Sequence, residues 1–304
     1  MEETKSLHNV QREETETPRT VQHEEHLKEA VLECGTIRYK DVGQGKVLLF
    51  LHGALANRNN WRKVLPELSK TYRCIAPDFP FGGHAIPLNQ SADLSPDGIC
   101  QILTQFLEAL NLDSVVLVGN DTGGAYGQIF TAKYPERVSA MILSNCDAFD
   151  VFPPEQFSTL PKLVHVPGYL SLMAQLFRIK PLLTSNLVLG LLSNSLTKDE
   201  VYHQYVYNFI SNKMIRNDFK KVVNGWSTDY TLAAANALRG FDKPVSIVWA
   251  TDDETLFPES LGRRLLSIFS NVKFTSVTGS LTYVHHDQPE VFIDKVSQFL
   301  NQLE

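Results

Sequence analysis

Short apolar runs alternate with longer amphipathic segments along most of this chain. The runs KVLLFLHG, SVVLVGN and VSAMILSNC have the length of strands and lack polar alternation, which is typical of strands buried on both faces. Between them, SPDGICQILTQFLEALNL carries apolar residues at helical intervals and begins with Ser95, a capping residue, before Pro96. The alternation predicts an α/β fold with a mostly parallel central sheet flanked by helices on both faces.

The same pattern divides the chain into parts. AVLE and TIRYKD predict two strands joined as a hairpin, and NNWRKVLPELSK has helical spacing. Residues 147–238 contain helical stretches but no strand of the buried kind, and strands resume with PVSIVWA and VKFTSVTG. We therefore predict a core formed by residues 28–146 and 239–304, with a helical cap over 147–238 inserted after the sixth strand. Residues 1–27 are polar and rich in Glu, the composition of a flexible acidic tail.

Composition excludes several classes of protein. The formal net charge of -6 and the pI near 5.9 give no basic footprint, so nucleic acid is not expected as a partner. The four cysteines lack metal-ligand or redox spacing, and we expect reduced thiols in a cytoplasmic protein. The N-terminus has no signal-like apolar region, and no segment is long and apolar enough to span a membrane. Nothing in the sequence calls for a metal or an organic cofactor.

The stretch VLVGNDTGG places Asp121 at a sharp transition from a strand to a helix. A tight turn of this kind leaves no room for Cβ atoms at Gly119 and Gly123, and it pushes residue 121 into a cleft. Helix N-terminal N–H groups stabilise a carboxylate there, and a carboxylate can attack an sp³ carbon to form an ester. Asp121 is therefore a candidate nucleophile, with an ordinary helix N-cap as the alternative.

The order of four motifs along the chain, at the ends of predicted strands, resembles that of the α/β-hydrolase superfamily. FLHG follows the third strand, GNDTG the fifth and VWATDDETLFP the penultimate one, and GSLTYVHHDQPE closes the chain. The resemblance covers about residues 30–304, and an elbow aspartate marks the haloalkane dehalogenase and epoxide hydrolase branch. It implies that the backbone N–H groups of Ala54 and Thr122 form an oxyanion hole. Dehalogenases carry Asn and Trp at those two positions to hold the halide, and this chain carries neither.

Two regions offer the acid that would orient a catalytic histidine. Asp253 lies near the register of the superfamily's triad acid, with Asp252 as the neighbouring alternative. Asp147 occupies the other location that the resemblance implies, directly after the sixth strand.

The histidine itself is missing from its expected position. Members of the superfamily end with the pattern Gly-x-x-His-aromatic, in which the histidine lies seven residues before the Pro of a Pro-Glu pair. In this chain the residue seven positions before Pro289 is Thr282, and Tyr283 follows it. A threonine hydroxyl is not a general base near neutral pH. His84, in the loop DFPFGGHAIP after the fourth strand, is the first candidate for a replacement base, and His285 or His286 is the second.

The cap contributes five tyrosines, Tyr169, Tyr202, Tyr205, Tyr207 and Tyr230. In epoxide hydrolases two cap tyrosines donate hydrogen bonds to the epoxide oxygen, and Tyr202 and Tyr205 have the spacing of one helical face. The abundance of aromatic and leucine residues in the cap indicates a small or medium apolar ligand.

These features predict a hydrolase that acts through Asp121 on an epoxide, haloalkane or ester, with an atypical base. Two alternatives stay open. One is a cofactor-independent isomerase, lyase or cyclase in which Asp121 transfers protons, and the other is a non-catalytic ligand-binding protein on the same scaffold.

Overall fold

The computed structural model describes residues 27–186 and 188–303. The predicted tail, residues 1–27, lies outside them except for Leu27. Eight strands form one sheet: β1 (Lys28–Leu32), β2 (Gly35–Val42), β3 (Val47–Leu51), β4 (Arg73–Pro77), β5 (Val115–Asn120), β6 (Val138–Ser144), β7 (Val245–Ala250) and β8 (Val272–Val277). Their order in the sheet is β1-β2-β4-β3-β5-β6-β7-β8.

Pairing in the sheet confirms the predicted fold class. The hairpin of β1 and β2 is antiparallel, β2 is antiparallel to β4, and every other neighbouring pair is parallel. All six residues of β5 and of β7 are buried, as continuous apolar runs require when helices cover both faces of a sheet. Because parallel strands end at the same edge, the loops after β3, β5, β6 and β7 converge above that edge.

Helices surround the sheet and fill the connection between β6 and β7. The α-helices are α1 (Leu65–Leu68), α2 (Pro96–Ala109), α3 (Thr122–Lys133), α4 (Leu160–Leu163), α5 (Tyr169–Leu176), α6 (Lys180–Leu183), α7 (Lys198–Glu200), α8 (Tyr207–Ser211), α9 (Lys213–Asn224), α10 (Thr228–Ala237), α11 (Glu259–Leu265), α12 (Val284–Asp287) and α13 (Pro289–Leu300). A π-helical segment covers Val201–Val206, and 3-10 turns cover Arg58–Trp61, Pro135–Arg137, Glu155–Phe157, Leu238–Gly240 and Asn301–Leu303. Among the described residues, no helix is long and apolar enough to cross a membrane.

Local sequence explains where two of these elements begin. The Ser95 side chain accepts a hydrogen bond from the N–H of Gly98, so α2 starts at the predicted cap. The helix predicted over NNWRKVLPELSK is instead split into the turn Arg58–Trp61 and the short α1. Pro66 is in the first turn of α1, where its missing N–H costs nothing, whereas in the interior of one long helix it would break the hydrogen-bond ladder.

The helical segment between β6 and β7 lies where the sequence predicts a cap. From the turn Glu155–Phe157 to α10, its described residues are helical or irregular, and an isolated bridge joins Ala148 to Val151. The cap boundaries at 147 and 238 stay a prediction. The segment covers the edge of the sheet at which Asp121 lies, since several of its residues line the same cavity as Asp121.

Candidate active site

Asp121 occupies a strained turn between β5 and α3. Its backbone has φ 54° and ψ -138°, a conformation that non-glycine residues seldom adopt. A Cβ atom at Gly123 would overlap the carbonyl groups of Leu51 and His52, so only glycine allows this approach of α3 to the end of β3. The N–H of Asp121 donates to the carbonyl of Asn145 at 2.9 Å, which ties the turn to the end of β6. The sequence motif therefore forms the sharp strand-to-helix turn that the sequence predicts.

The Asp121 carboxyl group is buried and lines a cavity. Burial raises its pKa to about 7, even though hydrogen bonds from the backbone N–H groups of Thr122 and Ala54 lower it; the nearby Asp253 charge raises it further. The same two N–H groups are those expected to form an oxyanion hole. In this structure they hold the Asp121 carboxylate itself.

Gly53 provides the space for this carboxylate. A Cβ atom at Gly53 would overlap Asp121 Oδ2, whereas a Cβ atom at Gly240 would meet nothing within 4 Å. We expect Gly53→Ala to lower the free energy of unfolding by about 1–3 kcal/mol, the usual cost of overpacking a buried site.

Gly240→Ala is the matched control and should change the stability by less than about 1 kcal/mol. Chemical denaturation of both variants measures the difference. Equal losses in the two variants would show that the carboxylate does not occupy the space above Gly53.

Asp253 and Thr282 form a buried pair next to Asp121. The Thr282 hydroxyl donates to Asp253 Oδ2 at 2.6 Å, and the other carboxylate oxygen accepts from the N–H groups of Leu256 and Phe257 at 3.1 and 3.3 Å. Burial raises the pKa of Asp253, and the Thr282 hydrogen bond opposes that rise. Thr282 thus contacts the predicted acid, in agreement with the register counted back from Pro289.

The two alternative acids lie in different surroundings. Asp252 is exposed and accepts hydrogen bonds from the Gly279 N–H and the Thr251 hydroxyl, so it stabilises a loop. Asp147 is buried, and among the described residues its Oδ1 has no hydrogen-bond partner. Burial, followed by the Asp121 charge, raises the pKa of Asp147 well above its ordinary value. Burial thus disfavours the charged form of Asp147, which is the form that would orient a histidine.

His84 does not reach the cavity. It is buried between the core and α9, where its Nε2 lies 3.1 Å from Asp218 Oδ2, and it is not among the residues that line the cavity with Asp121. This placement corrects the expectation that His84 supplies the base, because its imidazole lies outside the cavity in which water would reach Asp121.

His285 and His286 are also directed elsewhere. The His285 ring packs 4.2 Å from the Trp61 ring, and burial lowers its pKa well below the ordinary value. His286 accepts a hydrogen bond from Arg62 at 2.7 Å and contacts the Ser195 hydroxyl at 2.9 Å. Neither lines the cavity, so the expectation that His285 replaces the base is corrected as well.

His52 is structural, as its position before the Gly53 turn suggests. Its Nε2 accepts from the Phe79 N–H at 3.0 Å, and its Nδ1 donates to the Gly53 carbonyl at 2.9 Å. Burial lowers the pKa of His52 to about 3, so the ring is neutral. Among the described residues, no histidine lies in the Asp121 cavity.

The cavity has a volume of about 320 Å³ and is mainly apolar. Polar side chains are few: besides Asp121 and Thr122, they are Gln156, Thr159 and Tyr169. The apolar lining comprises Ala54, Leu55, Pro153, Pro154, Phe157, Leu160, Met173, Leu176, Phe177, Leu182, Val188, Leu189, Leu192, Phe219 and Trp226. A cavity of this size and character accommodates a small or medium apolar molecule.

Of the five cap tyrosines, only Tyr169 lines this cavity. The Tyr205 hydroxyl instead accepts a hydrogen bond from Arg62 at 2.6 Å, and Tyr202 packs against His203. The hypothesis of a Tyr202 and Tyr205 donor pair is therefore wrong, because neither residue lines the cavity that contains Asp121.

Two asparagines that sequence reasoning did not select hold the site together. Asn120 donates to the Thr282 carbonyl at 2.8 Å. Asn145 accepts from the Ala250 N–H at 2.6 Å and donates toward Asp253 at 3.4 Å. The sequence feature that could have identified them is a polar residue at the end of an apolar strand, since Asn120 and Asn145 both stand at such a position.

Comparison with known proteins identifies the family. Residues 46–288 match the family model of the alpha/beta hydrolase fold, so the chain belongs to that family. Epoxide hydrolase 1 of Caenorhabditis elegans is 22% identical over 273 residues, which are 84% of this chain and 65% of that protein. A 2-hydroxy-6-oxo-2,4-heptadienoate hydrolase of Pseudomonas putida is 38% identical over 107 residues, 34% of this chain and 38% of that protein. The chain thus spans less than two thirds of the length of either relative.

Solved structures show the same fold. A meta-cleavage product hydrolase of Pseudomonas fluorescens has a TM-score of 0.73 at 20% identity, covering 91% of this chain and 98% of that one. An ancestral haloalkane dehalogenase has a TM-score of 0.70 at 21% identity, covering 91% and 99% of the two chains. An epoxide hydrolase and a haloalkane dehalogenase are therefore among the proteins that this chain resembles, in agreement with the branch inferred from its elbow aspartate.

Proposed function

We propose that this protein is a hydrolase that attacks an electrophilic sp³ carbon of a small or medium apolar substrate with Asp121. The observation that carries the proposal is a buried carboxylate in an apolar cavity, hydrogen bonded to the N–H groups of Thr122 and Ala54. Epoxides and haloalkanes are the substrate classes with such a carbon. An activated ester is the third class to test, and attack at its sp² acyl carbon would give a mixed anhydride on Asp121 instead of an alkyl ester. The hydrolase-named relatives support the reaction type.

The first step forms an ester on Asp121. One carboxylate oxygen bonds to the substrate carbon, and the bond from that carbon to the epoxide oxygen or halide breaks, the leaving atom taking the electron pair. The other oxygen becomes the ester carbonyl, and the N–H groups of Thr122 and Ala54 are placed to stabilise it. An opened epoxide must also gain a proton, and Tyr169 is the cavity tyrosine that can donate one. Tyr169 regains a proton when Asp121, released as the acid after hydrolysis of the ester, returns to its carboxylate.

The second step is hydrolysis of that ester, and the base that we propose for it is Asp253, acting through Thr282. Both residues are buried and neither lines the cavity, so the proposal requires the attacking water to lie between Thr282 and Asp121, on the buried side of the carboxylate. Water adds to the ester carbon, its proton passes to Thr282 Oγ1, and the Thr282 proton passes to Asp253 Oδ2 along their 2.6 Å hydrogen bond. When the tetrahedral species collapses, the departing alkoxide takes a proton back by the same route. Burial raises the pKa of Asp253 and makes it a better base than an exposed carboxylate. The arrangement remains weaker than a histidine, so this step should limit turnover.

Thr282→Val tests the proposed relay because it removes the hydroxyl at nearly constant volume. We expect ester breakdown to slow by about tenfold or more, since general-base catalysis contributes about 10²–10⁴-fold. Thr282→Ser keeps the hydroxyl and should retain most of the rate. Rapid-quench measurement of the ester lifetime separates the two variants, and equal lifetimes in them would exclude the relay without affecting the first step.

The rate of ester formation should depend on pH through Asp121. Its pKa of about 7 means that the nucleophilic carboxylate is the minor form below that pH and the major form above it. We expect the single-turnover rate of ester formation to rise about tenfold per pH unit below 7 and to level off above it. A rate that falls as the pH rises through 7 would indicate that the neutral acid is the active form.

A second candidate function rests on the same pKa. An acid or base that titrates near 7 is suited to proton transfer, so Asp121 can also serve an isomerase, lyase or cyclase that forms no ester. Incubation with panels of epoxides, haloalkanes and activated esters, followed by intact-mass analysis, distinguishes the two candidates. The hydrolase forms an adduct that Asp121→Asn cannot form, whereas the proton-transfer enzyme converts its substrate without an adduct.

A further inference from the structure

Exposed apolar side chains are concentrated on one short part of the helical segment between β6 and β7. Val166, Leu172, Leu176 and Ile179 are 51%, 58%, 41% and 55% exposed. The last three follow one another at intervals of four and three residues, the spacing of one helical face, and they extend from α5 into the turn that follows it. Large apolar side chains exposed in a cluster, rather than singly, mark a surface that meets an apolar partner.

The same helix forms a wall of the Asp121 cavity. Tyr169, Met173, Leu176 and Phe177 line that cavity, whereas Leu172 and Ile179 do not. Leu176 belongs to both sets, so the exposed face of α5 and the cavity wall meet at this side chain. Leu176 thus links the exposed face to the cavity that Asp121 lines.

The charges around this face are positive. Residues 159–180 contain Lys162, Arg178 and Lys180 and no Asp or Glu, although the whole chain carries a formal net charge of -6. Lys180 pairs with Asp199 at 2.6 Å. Lys162 and Arg178 are exposed, and neither forms an ion pair within the part of the chain that the structure describes. Arg178 directly precedes Ile179, and Lys162 precedes Val166 by four residues, so two exposed cations lie close in sequence to the apolar face.

We propose that this face, Val166, Leu172, Leu176 and Ile179 with the cations Lys162 and Arg178, docks on an anionic lipid surface from which the substrate enters the cavity. Aliphatic side chains flanked by basic residues are the pattern of helices that lie in the interface of an anionic membrane. A second copy of the chain is disfavoured as the occupant, because isologous pairing of this face would bring like charges together. The docking does not depend on the chemistry of Asp121, and its test requires no turnover.

Vesicle flotation tests the proposal with the full chain. We expect the protein to float with vesicles of phosphatidylcholine and phosphatidylglycerol in equal parts, and about tenfold less with phosphatidylcholine alone. High salt should reduce the bound fraction, because the lipid charge is then screened. Replacing Lys162 and Arg178 by Glu should remove the preference for phosphatidylglycerol.

The double variant Leu172→Asp with Ile179→Asp should bind at least about tenfold less, because two charged carboxylates would then have to enter the lipid surface in place of two apolar side chains. Leu232→Asp is the matched control, because Leu232 is 44% exposed on α10, outside the proposed face, and its replacement should leave binding unchanged. Circular dichroism melts confirm that the variants fold.

Three outcomes would overturn the proposal. The first is absence of flotation with either vesicle, and the second is equal binding by the double variant and the wild type. The third is a dimer, found by light scattering, that the double variant dissociates, which would assign the face to self-association instead.

Discussion

Thr282→His is expected to raise the rate of hydrolysis of the Asp121 ester by about 10²-fold or more, the contribution of a well-placed general base. The physical reason is the contact of Thr282 with Asp253, since an imidazole at this position would have a carboxylate beside it to fix its tautomer and stabilise its charged form. Ester formation should change little, because that step depends on Asp121. Single-turnover kinetics that resolve formation and breakdown of the ester measure the two rates separately.

Two controls define this result. Thr282→Gln introduces a side chain of similar size that is not a base, and it should not accelerate hydrolysis. Combining Thr282→His with Asp253→Asn should remove most of the gain, since the acceptor for the imidazole N–H is lost. An unchanged rate in a folded Thr282→His protein would mean that the side chain at 282 does not face the ester.

Asp121→Asn is expected to abolish adduct formation and to lower turnover by at least about 10³-fold, because an amide oxygen is a far weaker nucleophile than a carboxylate. Loss of turnover would also exclude the hypothesis of a non-catalytic binding protein. Because the cavity keeps its shape, affinity for an apolar ligand should be retained.

The same variant should be more stable than the wild type above pH 7. The pKa of Asp121 is raised to about 7 in the folded protein, so the folded state favours the protonated acid and stability falls as the pH rises from the unfolded-state pKa through 7. Asp121→Asn removes this loss, and the difference in the free energy of unfolding should approach about 4 kcal/mol at alkaline pH, since the pKa rises from 3.8 to about 7 on folding. If Asp121→Asn is no more stable than the wild type above pH 7, burial of the charged Asp121 carboxylate does not destabilise the folded protein.

The sequence was sufficient to predict the sheet and the position of Asp121, because both follow from local patterns. A continuous apolar run fixes β5, and the glycines of GNDTGG fix the turn that follows it. Counting from Pro289 predicted that Thr282 stands at the position of the missing histidine, and in the structure the Thr282 hydroxyl donates to Asp253. In each case the relevant residues lie close together in the sequence or at a fixed spacing.

What could not be predicted depends on packing between distant segments. The sequence left His84 available as a base, but in the structure its partner is Asp218, 134 residues later on α9, and it does not line the cavity. Tyr205 had the spacing of a cap donor, yet Arg62, 143 residues earlier, binds its hydroxyl. The proposed docking face on α5 could not be predicted either. The sequence of an apolar helix does not show which of its side chains are buried and which are exposed to solvent.

Oxygen transfer in a single turnover tests the covalent ester on Asp121 most directly. The enzyme, in excess over an epoxide or haloalkane that the panel shows to react, is mixed with it in H₂¹⁸O, and the product and the Asp121 peptide are analysed by mass spectrometry. We predict that the new hydroxyl of the product carries ordinary oxygen from Asp121 and that the heavy isotope enters the Asp121 carboxylate. Heavy oxygen in the product of the first turnover, with an unlabelled Asp121, would contradict the covalent mechanism.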